Sequence, residues 1–144
     1  MENPKTPKLE NQICFPLYVI AKEITGLYRP FLDELDLTYP QYLVMMVLWE
    51  GDGLTVTHIG EKLFLDSGTL TPLLKRLEAK GLIVRKRKKE DERVVEVFLN
   101  EAGHLLREKA CEIPGKIQKK IDIQPEELLQ LKETVLKILN KIEK

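Results

Sequence analysis

The sequence contains little of what most catalytic and metal centres are built from. Its two cysteines, Cys14 and Cys111, lie far apart and form no CxxC pair, which argues against a zinc site and a disulfide framework. Its two histidines are isolated, and the chain has no glycine-rich phosphate loop, nucleophile elbow or HExxH sequence. We therefore expect no metal, no cofactor and no enzymatic activity, and two free thiols in a reducing compartment.

Long apolar runs are lacking as well. No stretch is long enough to span a bilayer, and the polar segment MENPKTPKLENQ lacks the apolar core of a signal peptide. The 144 residues suit one compact domain, and 43% hydrophobic, 32% charged and 6% aromatic residues indicate a helix-rich globular protein. We expect a cytoplasmic protein that has no membrane partner.

Net charge is missing too, because 23 basic and 23 acidic side chains cancel. Neutrality by itself argues against a nucleic-acid partner, but the distribution argues for one. Residues 75–89 contain eight basic side chains and one acidic side chain, so the rest of the chain is acidic overall. The basic residues are Lys75, Arg76, Lys80, Arg85, Lys86, Arg87, Lys88 and Lys89.

Apolar residues that recur every three or four positions predict one long amphipathic helix from Leu9 to about Leu35. Pro16 marks either its first turn or a kink, since an interior proline removes a backbone hydrogen bond. Thr38 and Gln41 resemble a capping box before a central helix that is apolar on almost every side.

A second group of elements follows the turn GDG at 51–53. Thr55 caps a short helix, a tight connection leads to LDSGTLTPLLKRLEAKGL, and Gly81 closes that helix. LIVRKRK and VVEVFLN then predict a two-stranded hairpin around the polar tip KEDER. Helices resume at Glu101, break near Pro114 and restart at Pro125.

Helix, short turn, helix and basic hairpin is the order of a winged helix-turn-helix, which predicts a mainly α fold with a small β-hairpin. In that fold the hydroxyls of Ser67, Thr69 and Thr71 open the recognition helix and face the major groove, with Lys75 and Arg76 one turn later. Two simpler interpretations stay open: Asp66 or Ser67 is a plain N-cap, and the basic run that includes Lys86 is a solvated edge strand.

Three segments, YPQYLVMMVLWE, LTVTHIGEKLFLDSGTLTPLLKRLEAKGLI and KEDERVVEVFLNEAG, resemble the MarR family of bacterial regulators. With NQICF near the start, the sequence is similar to the organic hydroperoxide repressor (OhrR) branch of that family. The resemblance implies a single MarR-like domain over 1–144. It further implies a winged helix-turn-helix lobe at 38–99 and a homodimer interlocked through its N- and C-terminal helices, 9–35 and 101–143.

The same resemblance implies a repressor that binds a pseudo-palindromic double-stranded DNA operator. Contacts with the major groove fall on residues that the helix pattern had already placed there. In the wing, the resemblance implies that Arg93 reaches the minor groove and that Asp91 braces it. The complete set of expected DNA-binding residues is Ser67, Thr69, Thr71, Lys75, Arg76, Lys86, Asp91 and Arg93.

Cys14 matches the reactive cysteine of the branch, which organic hydroperoxides oxidise to a sulfenic acid that small thiols can then trap. The start of a helix favours a thiolate through the positive end of the helix dipole. Tyr28 and Tyr39 match the tyrosines that hydrogen-bond the sulfur across the dimer interface. The competing interpretation of Cys14 is a small buried hydrophobic residue.

Two other functions compete with a peroxide sensor. One is a repressor of the same fold that a phenolic or drug-like ligand releases from DNA, and the other is a thiol peroxidase that turns over through Cys14. Cys111 precedes the segment IPG, where some relatives carry a resolving cysteine, but its simpler interpretation is a thiol that faces the core of a helix packing.

Overall fold

The computed structural model describes residues 7–143. The first residues in order form a short 3-10 turn at Leu9–Asn11. The elements that follow are α1 (Cys14–Glu34), α2 (Tyr39–Glu50), β1 (Leu54–Thr55), α3 (Val56–Leu63), α4 (Ser67–Ala79), β2 (Ile83–Arg87), β3 (Val95–Leu99), α5 (Glu101–Ala110), α6 (Ile113–Ile121) and α7 (Pro125–Ile142). The residues up to Cys111 form one compact unit and those from Glu112 form a second.

The first long helix starts later than its apolar pattern predicts. A continuous helix from Leu9 is wrong, because α1 begins at Cys14 and a separate 3-10 turn precedes it. Pro16 explains the difference: its ring has no N–H and would clash with the carbonyl four residues earlier, so a helix can hold Pro16 only within its first turn.

The central helix α2 begins with a capping box that is formed as predicted. Thr38 Oγ1 accepts from the Gln41 backbone N–H at 3.3 Å, and the Thr38 backbone N–H donates to Gln41 Oε1 at 3.0 Å. Both bonds satisfy amides that the helix itself cannot reach. The helix then buries Tyr42, Val44 and Met45 almost completely, as expected for an element that is apolar on most sides.

Gln41 also connects α2 to the end of α4. Its side chain is buried, and its Oε1 accepts a second hydrogen bond, at 3.1 Å, from Lys80 Nζ at the C-cap of α4. Lys80 Nζ donates as well to the backbone carbonyl of Asp36, just before α2. A buried amide therefore joins the first turn of α2 to the last turn of α4.

The sheet has three antiparallel strands in the order β1-β3-β2, one more than the predicted hairpin. The two hairpin strands pair as expected, with Ile83 opposite Leu99 and Arg87 opposite Val95. The additional strand β1 pairs Leu54 with Val97. A strand of two residues has no alternation of polar and apolar positions, so no sequence pattern could indicate it.

The core of the first unit lies between α2, α4 and the sheet. Its fully buried side chains include Leu70, Leu74, Ile59, Ile83 and Val97. Around this core, none of the helices in residues 7–143 is both long and apolar enough to cross a membrane.

Candidate nucleic-acid interface and cysteine site

Asp66 is the residue that caps the start of α4. Its Oδ1 accepts from the backbone N–H of Thr69 at 2.7 Å, a short bond typical of an ionised N-cap. Hydrogen bonds from the Thr69 backbone and then from its side chain lower the pKa of Asp66. Because Asp66 takes the capping role, Ser67 remains at the surface as the first residue of the helix.

The remaining side chains of α4 separate into two faces. Leu70, Leu73, Leu74 and Leu77 are buried against the unit, and the other face presents Ser67, Thr69, Lys75 and Arg76 to solvent, with Thr71 half-buried. This separation follows from the helical period, which places residues three and four apart on the same side. The predicted recognition face is therefore a solvent-exposed polar surface.

The turn between α3 and α4 is tight. Phe64 ends α3 with a left-handed backbone, φ 57°, and the Leu65 N–H returns to the carbonyl of Gly60 at 2.9 Å. A Cβ on Gly60 would lie 2.6 Å from the Leu65 carbonyl oxygen. The angle between the two helices of the helix-turn-helix therefore depends on the missing side chain at residue 60.

A groove of about 690 Å³ lies between the helix-turn-helix and the hairpin, and we call it the wing groove. It brings together four of the predicted residues, Ser67, Thr71 and Lys75 from α4 and Arg93 from the hairpin. Thr69 and Arg76 are exposed on α4 but are not among the residues that line it. The complete lining is Thr55, Val56, Thr57, Ser67, Thr71, Leu74, Lys75, Arg85, Arg87, Arg93, Val94 and Val95.

The structure places Asp91 directly against Arg93 at the tip of the hairpin. Asp91 Oδ1 lies 3.1 Å from Arg93 Nε and also accepts from the Arg93 backbone N–H at 3.1 Å, while Oδ2 lies 3.4 Å from Nη2. The hydrogen bonds from the Arg93 side chain and backbone lower the pKa of Asp91. The Arg93 side chain stays 91% exposed, so the pair orients a guanidinium that still faces solvent.

A second carboxylate pair ties the hairpin to α4. Glu78 accepts from the Arg85 backbone N–H and from Arg85 Nη2, both at 3.1 Å. The Arg85 side chain and then its backbone lower the pKa of Glu78. Since these bonds join β2 to the recognition helix, they fix the two walls of the wing groove relative to each other.

Lys86 lies apart from the wing groove. Side chains alternate along a strand, so Lys86 points away from Arg85 and Arg87. Its Nζ lies 5.3 Å from the centre of the Phe98 ring, and across the ladder it is paired with Glu96. Of the predicted DNA-binding residues on the hairpin, Lys86 is the one that the structure does not bring together with the others.

The predicted tyrosines lie in an aromatic cluster at the junction of α1 and α2. The ring centroids of Tyr28 and Tyr39 are 5.1 Å apart, and Tyr42 lies 5.8 and 6.3 Å from them. Burial, followed by the nearby Tyr39, raises the pKa of Tyr28, and burial raises that of Tyr39. Burial and the neighbouring acidic groups raise the pKa of Tyr42 to about 12. All three phenols therefore remain hydrogen-bond donors at neutral pH.

Cys14 is the first residue of α1, and its side chain is exposed rather than buried. The thiol therefore lies at the positive end of the helix dipole, as its sequence position predicted. Tyr28 follows on the same helix fourteen residues later, which places it about 21 Å further along the axis at 1.5 Å per residue. Within one chain, Cys14 and the tyrosine cluster are not brought together.

Cys111 is also exposed, so the expectation of a core-facing thiol is wrong for this chain. The helix α5 packs through Gly103 and Ala110, and a Cβ on Gly103 would lie 2.2 Å from the Leu82 carbonyl oxygen. Cys111 directly follows Ala110 and points elsewhere, because adjacent helical positions face directions about 100° apart.

Large apolar side chains remain exposed on the helices at both ends of the chain. In α1, only Leu32 is buried, and none of the residues of Pro125–Ile142 is buried. The exposed ones include Phe15, Leu17, Tyr18, Ile20, Leu129, Leu131, Val135, Leu136, Ile138 and Ile142. Contiguous apolar surface of this extent is typical of an interaction site.

Sequence reasoning missed several residues of the wing groove, namely Thr55, Thr57, Arg85 and Arg87. A usable signal was the strand period, since Ile83, Arg85 and Arg87 alternate with Val84 and Lys86. No signal along the chain could place the start of α3 opposite the hairpin. Throughout residues 7–143, no group of three or more His, Cys, Asp or Glu side chains is placed to hold a metal ion.

Comparison with known proteins agrees with this geometry. Residues 26–110 match the family described as transcriptional regulator SarA/Rot. An organic hydroperoxide resistance transcriptional regulator of Bacillus subtilis is 54% identical over 92% of this chain and 90% of its own.

Solved structures of AbfR from Staphylococcus epidermidis are also similar. Reduced AbfR bound to DNA has a TM-score of 0.81 at 32% identity, covering 94% of this chain and 95% of AbfR. Disulfide-formed AbfR has a TM-score of 0.68 at 34% identity, covering 94% and 93%. The chain therefore belongs to the MarR/SarA type of winged-helix transcriptional regulators, in the branch of the organic hydroperoxide resistance repressors.

Proposed function

We propose that this protein is a cytoplasmic homodimeric repressor that binds a pseudo-palindromic operator and releases it when an organic hydroperoxide oxidises Cys14. The wing groove carries the DNA-binding half of this proposal. It combines hydroxyl groups on two helices with four cationic side chains, and among the described residues that line it none is acidic. Hydroxyl and guanidinium groups are the usual partners of DNA phosphates and base edges.

Two chains are needed for the proposed sensor. The sulfur of Cys14 and the phenol of Tyr28 lie far apart on one helix, so both can act on one thiol only if the tyrosines come from a partner. The exposed apolar faces of α1 and α7 support such a partner, and the cheapest way to cover them is a second copy of the same chain. A twofold dimer also presents two recognition helices to successive major grooves.

The proposed redox step needs only a hydroperoxide and a small thiol. The Cys14 thiolate attacks the terminal oxygen of R–O–O–H, so an S–O bond forms, the O–O bond breaks, and the alkoxide leaves and takes up a proton as the alcohol. The sulfur is oxidised to a sulfenic acid. A small thiol then attacks that sulfur, water leaves, and a mixed disulfide remains.

Loss of the thiolate removes an acceptor for the tyrosine hydroxyls, and the added atoms require space in a packed interface. Such interfaces respond by shifting between discrete arrangements, which would move the two recognition helices off their groove spacing. A hundredfold loss of operator affinity corresponds to only about 2.7 kcal/mol. Modest changes around one sulfur are therefore sufficient.

Fluorescence anisotropy with a duplex from the promoter of the protein's own gene tests this function. Wild-type protein is expected to bind it far more tightly than a random duplex and to release it after stoichiometric cumene hydroperoxide with a small thiol. Cys14→Ser is expected to bind equally well and to ignore the peroxide. Continuous peroxide consumption would instead indicate a thiol peroxidase, and release of the Cys14→Ser variant by peroxide would remove Cys14 from the mechanism.

One observation favours a second candidate, release by a phenolic or drug-like ligand. A cavity of about 580 Å³ lies between α1 and the start of α2, and Lys22, Arg29 and Tyr39 are among the residues that line it. Two cations beside an aromatic ring suit an aromatic acid. Salicylate that releases operator from both wild type and Cys14→Ser would support this candidate, since ligand release does not need the thiol.

A further inference from the structure

We propose that Arg87, on the groove face of β2, binds a DNA backbone phosphate and that its neighbour Lys86 does not. This inference rests on the proposed DNA-binding function and names a contact that neither the helix pattern nor the family resemblance had assigned. The two residues are adjacent, carry the same charge and are both exposed, so only the face of the strand separates them.

The position of Arg87 is set by the register of the sheet. Arg87 pairs with Val95 across the ladder, and both residues line the wing groove. In the same groove lie Arg93 from the hairpin tip and Thr57 from the first turn of α3. A DNA strand that follows this groove therefore passes the Arg87 side chain between the recognition helix and the wing.

The three arginines of the groove differ in how their charge is balanced. Arg85 is paired with Glu78 and Arg93 is paired with Asp91. Arg87 Nη1 donates at 2.8 Å to the backbone carbonyl of Glu92, which is a neutral acceptor. Across residues 7–143, Arg87 has no carboxylate partner, so its full positive charge is available to an anion.

The bond to Glu92 also prepares Arg87 for such a contact. It holds the guanidinium against the hairpin tip and reduces the number of rotamers that binding would have to fix. A guanidinium has several further N–H donors in a planar fork, a geometry that matches two oxygens of one phosphate. The structure therefore offers both an uncompensated charge and an oriented set of donors.

Lys86 lacks each of these properties. Its ammonium lies over the Phe98 ring, and Glu96 is its cross-strand neighbour on the far face of the hairpin. Directly opposite pairs of unlike charge stabilise each other across a ladder. Binding a phosphate would require Lys86 to leave this surface and reach around the edge of the sheet.

The test compares Arg87→Ala with Lys86→Ala in the full-length reduced protein, because both variants remove one positive charge from β2. Affinity is measured over a range of salt concentrations on two probes, the duplex from the gene's own promoter and a random duplex of equal length. Arg87→Ala is expected to lower the slope of log K against log salt by about 0.9 per protomer contact, which corresponds to about eightfold weaker binding at 0.1 M salt than at 1 M salt would suggest. Lys86→Ala is expected to keep the wild-type slope.

Arg87→Lys is the conservative variant, and it should restore most of the slope because it restores the charge. Thermal melting of each variant shows whether it is folded, and the salt slope is a readout that a purely structural defect would not change. An unchanged slope in Arg87→Ala, or an equal loss in Lys86→Ala, would overturn the proposal. The proposed function fails separately, if wild-type protein does not prefer the promoter duplex over the random one, and the Arg87 contact can then still be measured on the random duplex.

Discussion

Gly60→Ala should destabilise the helix-turn-helix although alanine is the better helix former. Gly60 is buried in α3, and a Cβ there would lie 2.6 Å from the backbone carbonyl oxygen of Leu65. Real Cβ atoms do not approach so closely, and the neighbour is backbone, which cannot swing aside as a side chain can. The turn must therefore open, and the bond from the Leu65 N–H to the Gly60 carbonyl is strained with it.

The competing contributions can be compared in magnitude. Replacing glycine by alanine inside a helix gains about 1 kcal/mol of helix propensity. Overpacking costs about 1–3 kcal/mol, and weakening one backbone hydrogen bond costs about 1 kcal/mol more. The losses exceed the gain, so the net destabilisation is about 1–3 kcal/mol. For a chain of this size that lowers Tm by roughly 3–9 °C.

Gly68→Ala is the matched control. Gly68 lies in the first turn of α4, where a Cβ would meet only Asp66 Oδ1 at an ordinary 3.5 Å. Its Tm should equal or slightly exceed that of wild type. Melting is followed by circular dichroism at one protein concentration, because the Tm of a dimer depends on concentration. If Gly60→Ala melts at or above the wild-type temperature, the packing of this turn is not what limits residue 60.

Three further predictions concern residues with separate roles. Asp66→Ala should lower Tm, whereas Ser67→Ala should leave Tm unchanged and weaken DNA binding in anisotropy titrations, because the cap and the surface hydroxyl are different residues; the reverse pattern would assign the cap to Ser67. Burial raises the pKa of Tyr42 from 10.0 to about 12, so its neutral phenol stabilises the fold fully below pH 10 and that contribution is lost as the pH rises through 12. Absorbance titration of tyrosinate should therefore lose its latest component in Tyr42→Phe, and an unchanged curve would contradict this. Cys111→Ser should still release DNA after oxidation of Cys14 when a small thiol is present, and failure to release would make Cys111 a resolving cysteine.

The parts of the fold that the sequence predicted correctly depend on local interactions. The capping box of Thr38 and the left-handed Gly81 that closes α4, with φ 77°, involve residues within a few positions of each other. The order of helices and hairpin followed from the same local patterns. Family resemblance added the pairing of Asp91 with Arg93, which no periodicity could distinguish from the other charges of the hairpin.

What the sequence could not predict depends on contacts between distant segments. The strand at Leu54 exists because β3 lies beside it, and Cys111 is exposed because Ala110 meets the core instead. The late start of α1 was predictable in principle, since Pro16 limits how far the helix can extend, but the apolar pattern of the preceding residues concealed it. The groove face of β2 required knowing which side of the hairpin the recognition helix approaches.

The contact between Lys80 and Gln41 makes the recognition helix a lever. Its C-terminal end is attached to the turn that carries Tyr39, while its other end, at Ser67, has no comparable attachment and meets the DNA in the proposed complex. A helix of 13 residues is about 20 Å long, so a tilt of about 10° around the attached end displaces the far end by about 3 Å. That displacement is as long as a hydrogen bond. A movement of a fraction of an ångström beside the tyrosines is thus amplified at the end of α4 that reads the operator, with no need for any large rearrangement of the core.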